Sequence, residues 1–212
     1  VINGSAFADL ITGGEGADTV TGAAGKDSIV LTETTSAVDT LKYSESGVLN
    51  ADTVTGFKAG TDIVSITIGN ITDNGGLFDT LSNAAGGDIS AGVAAGAAVA
   101  SFTGASSTGT LLANTVNLVI LSNVAATSFA TAIGTTTFTS SVGMDSGLTL
   151  GEGLATVWFD ATNSQAVYGY IENSIGAGDI LSTSDTFHEI VRVGMVAADF
   201  TQGNITASFS LF

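Results

Sequence analysis

The chain has 212 residues and a mass of 20.9 kDa, enough for one generous domain or two modest ones with real cores. Twenty acidic residues against four basic ones give a formal charge of −16, which repels phosphate backbones and sets nucleic acid aside as a partner. Hydrophobic residues make up 44%, so the chain folds; cysteine is absent, which removes disulfides and thiolate metal sites.

The acidic set is uneven, with fourteen Asp and six Glu. A short carboxylate beside glycine suits a tight loop that holds a hard cation such as calcium. No apolar run reaches the ~20 residues of a membrane helix, and no basic leader with an apolar run and cleavage site opens the chain. The first residue is Val1 rather than Met, so the sequence reads as a fragment or a processed product.

Residues 1–30 carry a repeat of period nine, seen in Gly4 to Ile11, Gly13 to Val20 and Gly22 to Ile29. Aspartates fall at 9, 18 and 27, each followed two positions later by an apolar residue, Ile11, Val20 and Ile29. That period fits a six-residue turn plus a three-residue strand whose apolar side chain points into a parallel β-roll. From 31 to about 80 the period is lost, but Asp39-Thr40-Leu41, Asp52-Thr53-Val54 and Asp62-Ile63-Val64 repeat the Asp-x-apolar unit. Alternation of Val64, Ile66 and Ile68 predicts a strand covering one end of the roll.

Residues 86–110 are low-complexity Ala/Gly/Ser and read equally as a small-residue helix, a loop or a link. Strands follow at Val116 to Leu121, Val157 to Phe159, Val167 to Ile171, Glu189 to Val193 and Ile205 to Phe212. Short helices are expected at Ala125 to Ile133 and Val196 to Phe200. Trp158, Tyr168, Tyr170, Phe187 and Phe209 are the candidate aromatic core of this half.

The sharpest motif is Gly13-Gly14-x-Gly16-x-Asp18-x-Val20. Its glycines allow the tight turn that directs carbonyl oxygens inward, and a stacked turn completes the six to eight oxygen ligands that calcium takes. Consecutive turns lie on opposite edges of a roll, so repeats two apart stack. Asp9 should therefore pair with Asp27, flanked by carbonyls near Gly4, Ala6, Gly22 and Ala24. Asp18, with Gly13 and Glu15, faces the other edge; its site is completed by Asp39 or by residues before Val1. Asp52 and Asp62 are further metal candidates. A Gly-Asp turn without metal is the plain alternative, against which three motifs in register weigh heavily. Asp73, Asp79, Asp88, Asp145, Asp160, Asp179 and Asp185 read as turn residues.

The nonapeptides resemble the glycine- and aspartate-rich repeats in toxin (RTX) proteins exported by type I secretion. Ser36 to Ile66 is similar to the cap that follows the roll in serralysin-type metalloproteases. The match falls on Asp39-Thr40-Leu41 and on Asp52 to Ile63, with Gly56 where that family usually has Asp. From about 138 onward, Trp158-Phe159, Tyr168-Gly169-Tyr170, Gly178-Asp179 and the run to Val193-Gly194 resemble the carboxy-terminal region of proteobacterial surface-layer proteins. These resemblances imply direct export, folding on external calcium and an uncleaved export signal near the carboxy terminus. Metal binding coupled to folding is compatible with that route.

His188 is the only histidine, which excludes a multi-histidine zinc site within the chain, and no Gly-x-Ser-x-Gly elbow is present. His188 beside Glu189 reads as a polar strand start rather than an acid–base pair. Nothing in the spacing of Asp160 and Glu172 favours a glycosidase pair.

The expected fold is all-β: a short calcium-binding parallel β-roll with a cap over 1–80, then a β-rich carboxy-terminal domain over 81–212 that includes the export signal. The expected function is a non-enzymatic structural segment of a secreted bacterial surface layer, with Ca2+ as cofactor. Its partners would be other copies of itself, the type I secretion machinery and, through missing regions, cell-surface polysaccharide. The alternatives are the terminal module of a secreted adhesin, or the non-catalytic secretion and folding module of a protease or lipase.

Overall fold

The computed structural model describes residues 1–43, 51–66, 98–102, 110–112, 116–134, 138–140, 153–172, 180–181 and 185–211. Strands dominate, with few and short helices. The period-nine segment forms β1 (Ile2–Asn3), β2 (Leu10–Thr12), β3 (Thr19–Thr21) and β4 (Ser28–Val30). Three residues per strand suffice because only the middle one must be buried: Ile11, Val20 and Ile29 are buried while their neighbours are not. The Asp-x-apolar units continue the coil as β5 (Thr40–Tyr43), β6 (Asp52–Thr55) and β7 (Ile63–Ile66). Successive strands alternate between two parallel sheets, β1-β3-β5-β7 and β2-β4-β6.

Register is carried by the Asp-x-apolar unit and not by turn length. Ile2 pairs with Val20, Val20 with Leu41 and Leu41 with Val64; on the other sheet Ile11 pairs with Ile29 and Ile29 with Val54. The turns lengthen after residue 30, yet each aspartate stays two residues ahead of its buried aliphatic. Each fully buried aliphatic in these columns contributes about 1.5–3 kcal/mol.

The carboxy-terminal half adds β8 (Ala98–Phe102), β9 (Thr110–Leu112), β10 (Val116–Leu121), β11 (Phe138–Ser140), β12 (Gly153–Asp160), β13 (Gln165–Glu172), β14 (Ile180–Leu181), β15 (Thr186–Gly194) and β16 (Phe209–Leu211). Both roll sheets run on into it. β15 lies parallel to β6, placing Val193 opposite Val54, and the sheet continues through β13, β12 and β10 to β8. β16 lies parallel to β7, placing Phe209 opposite Val64. β9, β11 and β14 form a separate three-stranded sheet.

One apolar cluster accordingly contains Ile11, Val20, Ile29, Leu41 and Val54 together with Tyr168, Tyr170, Val193, Ile205 and Phe209. A second, on the opposite face of β12 and β13, joins Trp158, Val167 and Ile171 to helix α1 (Phe129–Ile133), whose Phe129 stacks on Phe187. Four of the five expected core aromatics are buried; Phe187 is half-buried and packs against the second cluster.

Three local expectations change. The described part of 86–110 contains strand β8 and the start of β9, not a helix. The strand expected from Ile205 to Phe212 begins later, because Thr201 caps helix α2 (Gln202–Ala207) by accepting from the amide of Asn204. β7 is an inner strand with β16 beyond it, where an end-covering strand was expected; Ile68 lies outside the described residues. Of the expected helices, Ala125 to Ile133 shortens to α1 and Val196 to Phe200 to a single 3-10 turn, Ala197–Asp199.

Candidate metal centre

Six aspartates form two ladders along the edges of the roll. On one edge the amide of Asp9 donates to Oδ1 of Asp27 at 2.8 Å, and the amide of Asp27 to Oδ1 of Asp52 at 2.8 Å. On the other, the amide of Asp18 donates to Oδ1 of Asp39 at 2.8 Å, and the amide of Asp39 to Oδ1 of Asp62 at 3.1 Å. The carbonyls of Asp9, Asp18, Asp27 and Asp39 accept from the residue after the next aspartate. Each step is thus a two-point clip, made by main chain and side chain together. The expected pairing of Asp9 with Asp27 is the first step of one ladder, and Asp18 meets Asp39.

In Asp27, Asp39, Asp52 and Asp62 Oδ1 is spent on this scaffold, while Oδ2 of Asp9 accepts from Ser5 and Oδ2 of Asp62 from the Lys58 amide. The Oδ2 atoms of Asp27 and Asp39 are buried with no hydrogen-bond partner. Beside them lies the first glycine of each repeat. A side chain at Gly4 would stand 3.1 Å from Oδ2 of Asp9, and one at Gly13 3.3 Å from Oδ2 of Asp18. At Gly22 it would collide with Oδ2 of Asp27 and stand 2.7 Å from Oδ2 of Asp52. Two anionic oxygens therefore converge on one point that only a glycine leaves open. Burial and then the neighbouring carboxylates Asp62, Glu33 and Asp18 push the Asp39 carboxyl above its ordinary range. Burial, with Glu33 adding repulsion, does the same to Asp62. A buried, unpaired carboxylate is costly unless a cation or a proton meets it.

Among the described residues no three His, Asp or Glu side chains converge as a metal cage. A cation between the Oδ2 atoms would draw its remaining ligands from main-chain carbonyls. Glycine turns supply these: Gly14 and Gly16 sit at φ +94° and +93°, the left-handed region that lets the turn fold its carbonyls inward. The carbonyl of Gly22 packs directly on Gly4, so the first residues of stacked repeats are in contact. The donor set is all oxygen, as calcium requires. Gly56, where the cap pattern has Asp, is at φ +81° and pressed against Leu31 and Thr32, so a side chain is excluded there.

Glu15 and Glu33 form a clasp outside the ladders. The Glu15 carboxylate accepts from the amides of Thr34 and Thr35 and from the Thr34 hydroxyl, while Glu33 accepts from the amides of Gly16 and Ala37. The Thr34 bonds hold the Glu15 carboxyl below its ordinary value. Glu33 was missed in the sequence; its signal is that it follows Glu15 by two repeat lengths after the aspartates have left that register.

Other polar residues serve elsewhere. Asp160 holds its hairpin turn through the amides of Thr162 and Asn163. His188 Nε2 lies 2.5 Å from Glu172 Oε2, and Glu189 turns instead to Arg192. Asp160 and Glu172 stand at opposite ends of the β12–β13 pair, opposite Gln165 and Gly153. At ~3.3 Å per residue they are roughly 20 Å apart, well beyond the ~5–9.5 Å of a glycosidase pair. Asp185 is buried, and Asp73, Asp79, Asp88, Asp145 and Asp179 lie outside the described residues.

Residues 1–29 match the family model of the RTX calcium-binding nonapeptide repeat (4 copies). These repeats bind Ca2+, and calcium is the cofactor of this segment. Ile2 keeps the nine-residue step of Ile11, Val20 and Ile29, so β1 is the strand of one more repeat than the three evident in the sequence. Repeats of this kind are typical of secreted proteins. Among the described residues no helix is long and apolar enough to cross a membrane. No curated protein and no solved structure matches the chain.

Proposed function

We propose that the chain is a calcium-folded structural segment of a secreted bacterial surface-layer protein, carrying no reaction of its own. The observation behind this reading is the pair of aliphatic columns that leave the aspartate ladders and continue into β15 and β16. Calcium that draws the carboxylates together thereby orders residues as far as Phe209. Ca2+ ions would sit between the carboxylates of Asp9, Asp27 and Asp52 on one edge and of Asp18, Asp39 and Asp62 on the other. Before export the carboxylates repel and keep the roll open; outside the cell the metal closes it. Other copies of the chain and the type I export machinery are its proposed partners.

The test is a calcium titration of the purified chain, with particle size followed by light scattering and the end point viewed by electron microscopy. Ordered sheets that disperse on chelation are the expected result. Compaction that stops at a monomer would retain calcium-driven folding and replace the surface-layer role with that of an adhesin or secretion module.

A further inference from the structure

We propose that the two edges of the roll part in order when calcium is withdrawn. The Asp9–Asp27–Asp52 edge opens first; the Asp18–Asp39 edge, clasped by Glu15 and Glu33, stays shut as the hinge. This hinge rests on the calcium reading above and deepens it.

The two edges share the aspartate step and differ beside it. At Gly22, the space next to Oδ2 of Asp27 is met by a second carboxylate oxygen, Oδ2 of Asp52. At Gly13, the space next to Oδ2 of Asp18 is met by Cδ2 of Leu31, a buried methyl group. Two anionic oxygens facing one gap repel until a cation enters it; an oxygen facing a methyl does not. The Asp9 amide to Asp27 is the only side-chain bond between turns 4–9 and 22–27 among the described residues.

Turns 13–18 and 31–39 are joined by more than their aspartate step, and none of the added bonds needs a metal. Glu15 accepts from the Thr34 amide and hydroxyl at 2.8 and 2.7 Å and from the Thr35 amide at 3.2 Å. Glu33 accepts from the Gly16 amide of the opposite turn at 2.9 Å and braces its own loop through the Ala37 amide at 2.8 Å. Each turn thus gives a carboxylate and receives one. Bonds from amides to ionised carboxylates are among the stronger hydrogen bonds. The loop that supplies Thr34 and Thr35 is the first to break the nine-residue period. Asp39 keeps one buried, unpartnered oxygen, so this edge still gains from a cation. Its turns are held together before one arrives.

The experiment is amide hydrogen exchange of the full 212-residue chain, read residue by residue by NMR while a chelating buffer lowers calcium. The amides of Asp27 and Thr53, which bridge the first edge, should lose protection first. Those of Gly16 and Thr34 should remain at least about tenfold more protected at that calcium level. Glu15→Gln keeps the shape, removes the charge and should bring the two losses to the same calcium level. Because Glu15 is exposed, this variant should fold in saturating calcium, and the order in the unaltered chain is a test by itself. Simultaneous loss at both edges, earlier loss at Gly16 and Thr34, or an unchanged order in Glu15→Gln would overturn the hinge. Circular dichroism separates the two readings. A chain that folds on calcium yet opens both edges at once loses the hinge only, whereas a chain indifferent to calcium loses both.

Discussion

In the roll, Asp9, Asp27 and Asp52 stack on one edge and Asp18, Asp39 and Asp62 on the other, like charge upon like charge. Farther along the same eight-stranded sheet, two acids close on a guanidinium instead. Arg192 Nε and Nη2 donate to the two oxygens of Glu189 at 2.6 and 2.7 Å, and Nη1 donates to Asp160 at 2.8 Å. One cluster contains its own cation; the other must take one from the medium. If calcium folds the roll as proposed, the roll should respond to the metal and the Arg192 cluster should not.

Removing calcium should have the largest effect. Each site held at a thousandfold excess over its Kd contributes about 4 kcal/mol, so losing two or more exceeds the ~5–15 kcal/mol margin of an ordinary domain or comes close to it. Chelator should lower the thermal transition of the roll further than any single substitution does. Because β15 and β16 carry the columns onward, protection of Val191 to Val193 against hydrogen exchange should fall with it. Unchanged exchange there would separate the two regions and break the comparison.

Arg192→Leu should act next in size and independently of calcium. It leaves Asp160, which is nearly buried, and Glu189 facing each other without a cation, a loss of about 3 kcal/mol. The melting temperature should fall by the same amount at every saturating calcium concentration, and the dependence on log calcium should keep its slope. A steeper slope would mean that the cluster and the ladders are coupled.

How much of this was legible depends on how local each signal is. Asp-x-aliphatic is a two-step pattern, so Asp39, Asp52 and Asp62 could be picked out although the nine-residue period had gone. Stacking Asp52 on Asp27, and Asp62 on Asp39, depends on loop lengths that only three-dimensional closure sets. The clasp of Glu15 and Glu33 was hidden for the same reason. The pairing of β15 with β6 and of β16 with β7 joins residues more than 130 positions apart, and no local pattern encodes it. Helix α2 was lost because Ile205 and Phe209, four residues apart, fit a helical face as readily as a strand, and the decisive Thr201 cap is a single side chain.

Acid should move the two clusters in opposite directions. With calcium chelated, the folded-state pKa values of Asp39 and Asp62 lie above the ordinary 3.8. Folding then takes up protons between those values, so stability is greatest below 3.8 and is lost as pH rises through them. A tenfold gain in proton affinity on folding corresponds to about 1.4 kcal/mol, and solvent screening makes the measurable gain smaller. For Asp160, burial raises the carboxyl, but hydrogen bonds from Asn163, Arg192 and Thr162 together outweigh it and hold it below 3.8. Its contribution is present above 3.8 and is lost as pH falls through the depressed value. Urea titrations of the chelated chain from pH 6 down should show the first gain, and Arg192→Leu should remove the later loss. A monotonic fall in stability across the range would show that calcium-free ladders are not held together at all.

The smallest effect lies within the roll and should be indifferent to the cation. Ala23 occupies the turn position filled by Gly14 one repeat earlier, and it is held at φ +64°. An L-residue in that region costs roughly 1–2 kcal/mol, whereas glycine adds roughly 0.5–1 kcal/mol of unfolded-state entropy. Ala23→Gly should therefore stabilise the chain by up to about 1 kcal/mol. The strain is in the backbone and no carboxylate is touched, so the gain should be equal at low and high saturating calcium. A gain that grows as calcium is lowered would instead show that the metal had been holding Ala23 in its turn, and the roll's backbone would then be as conditional as its charges.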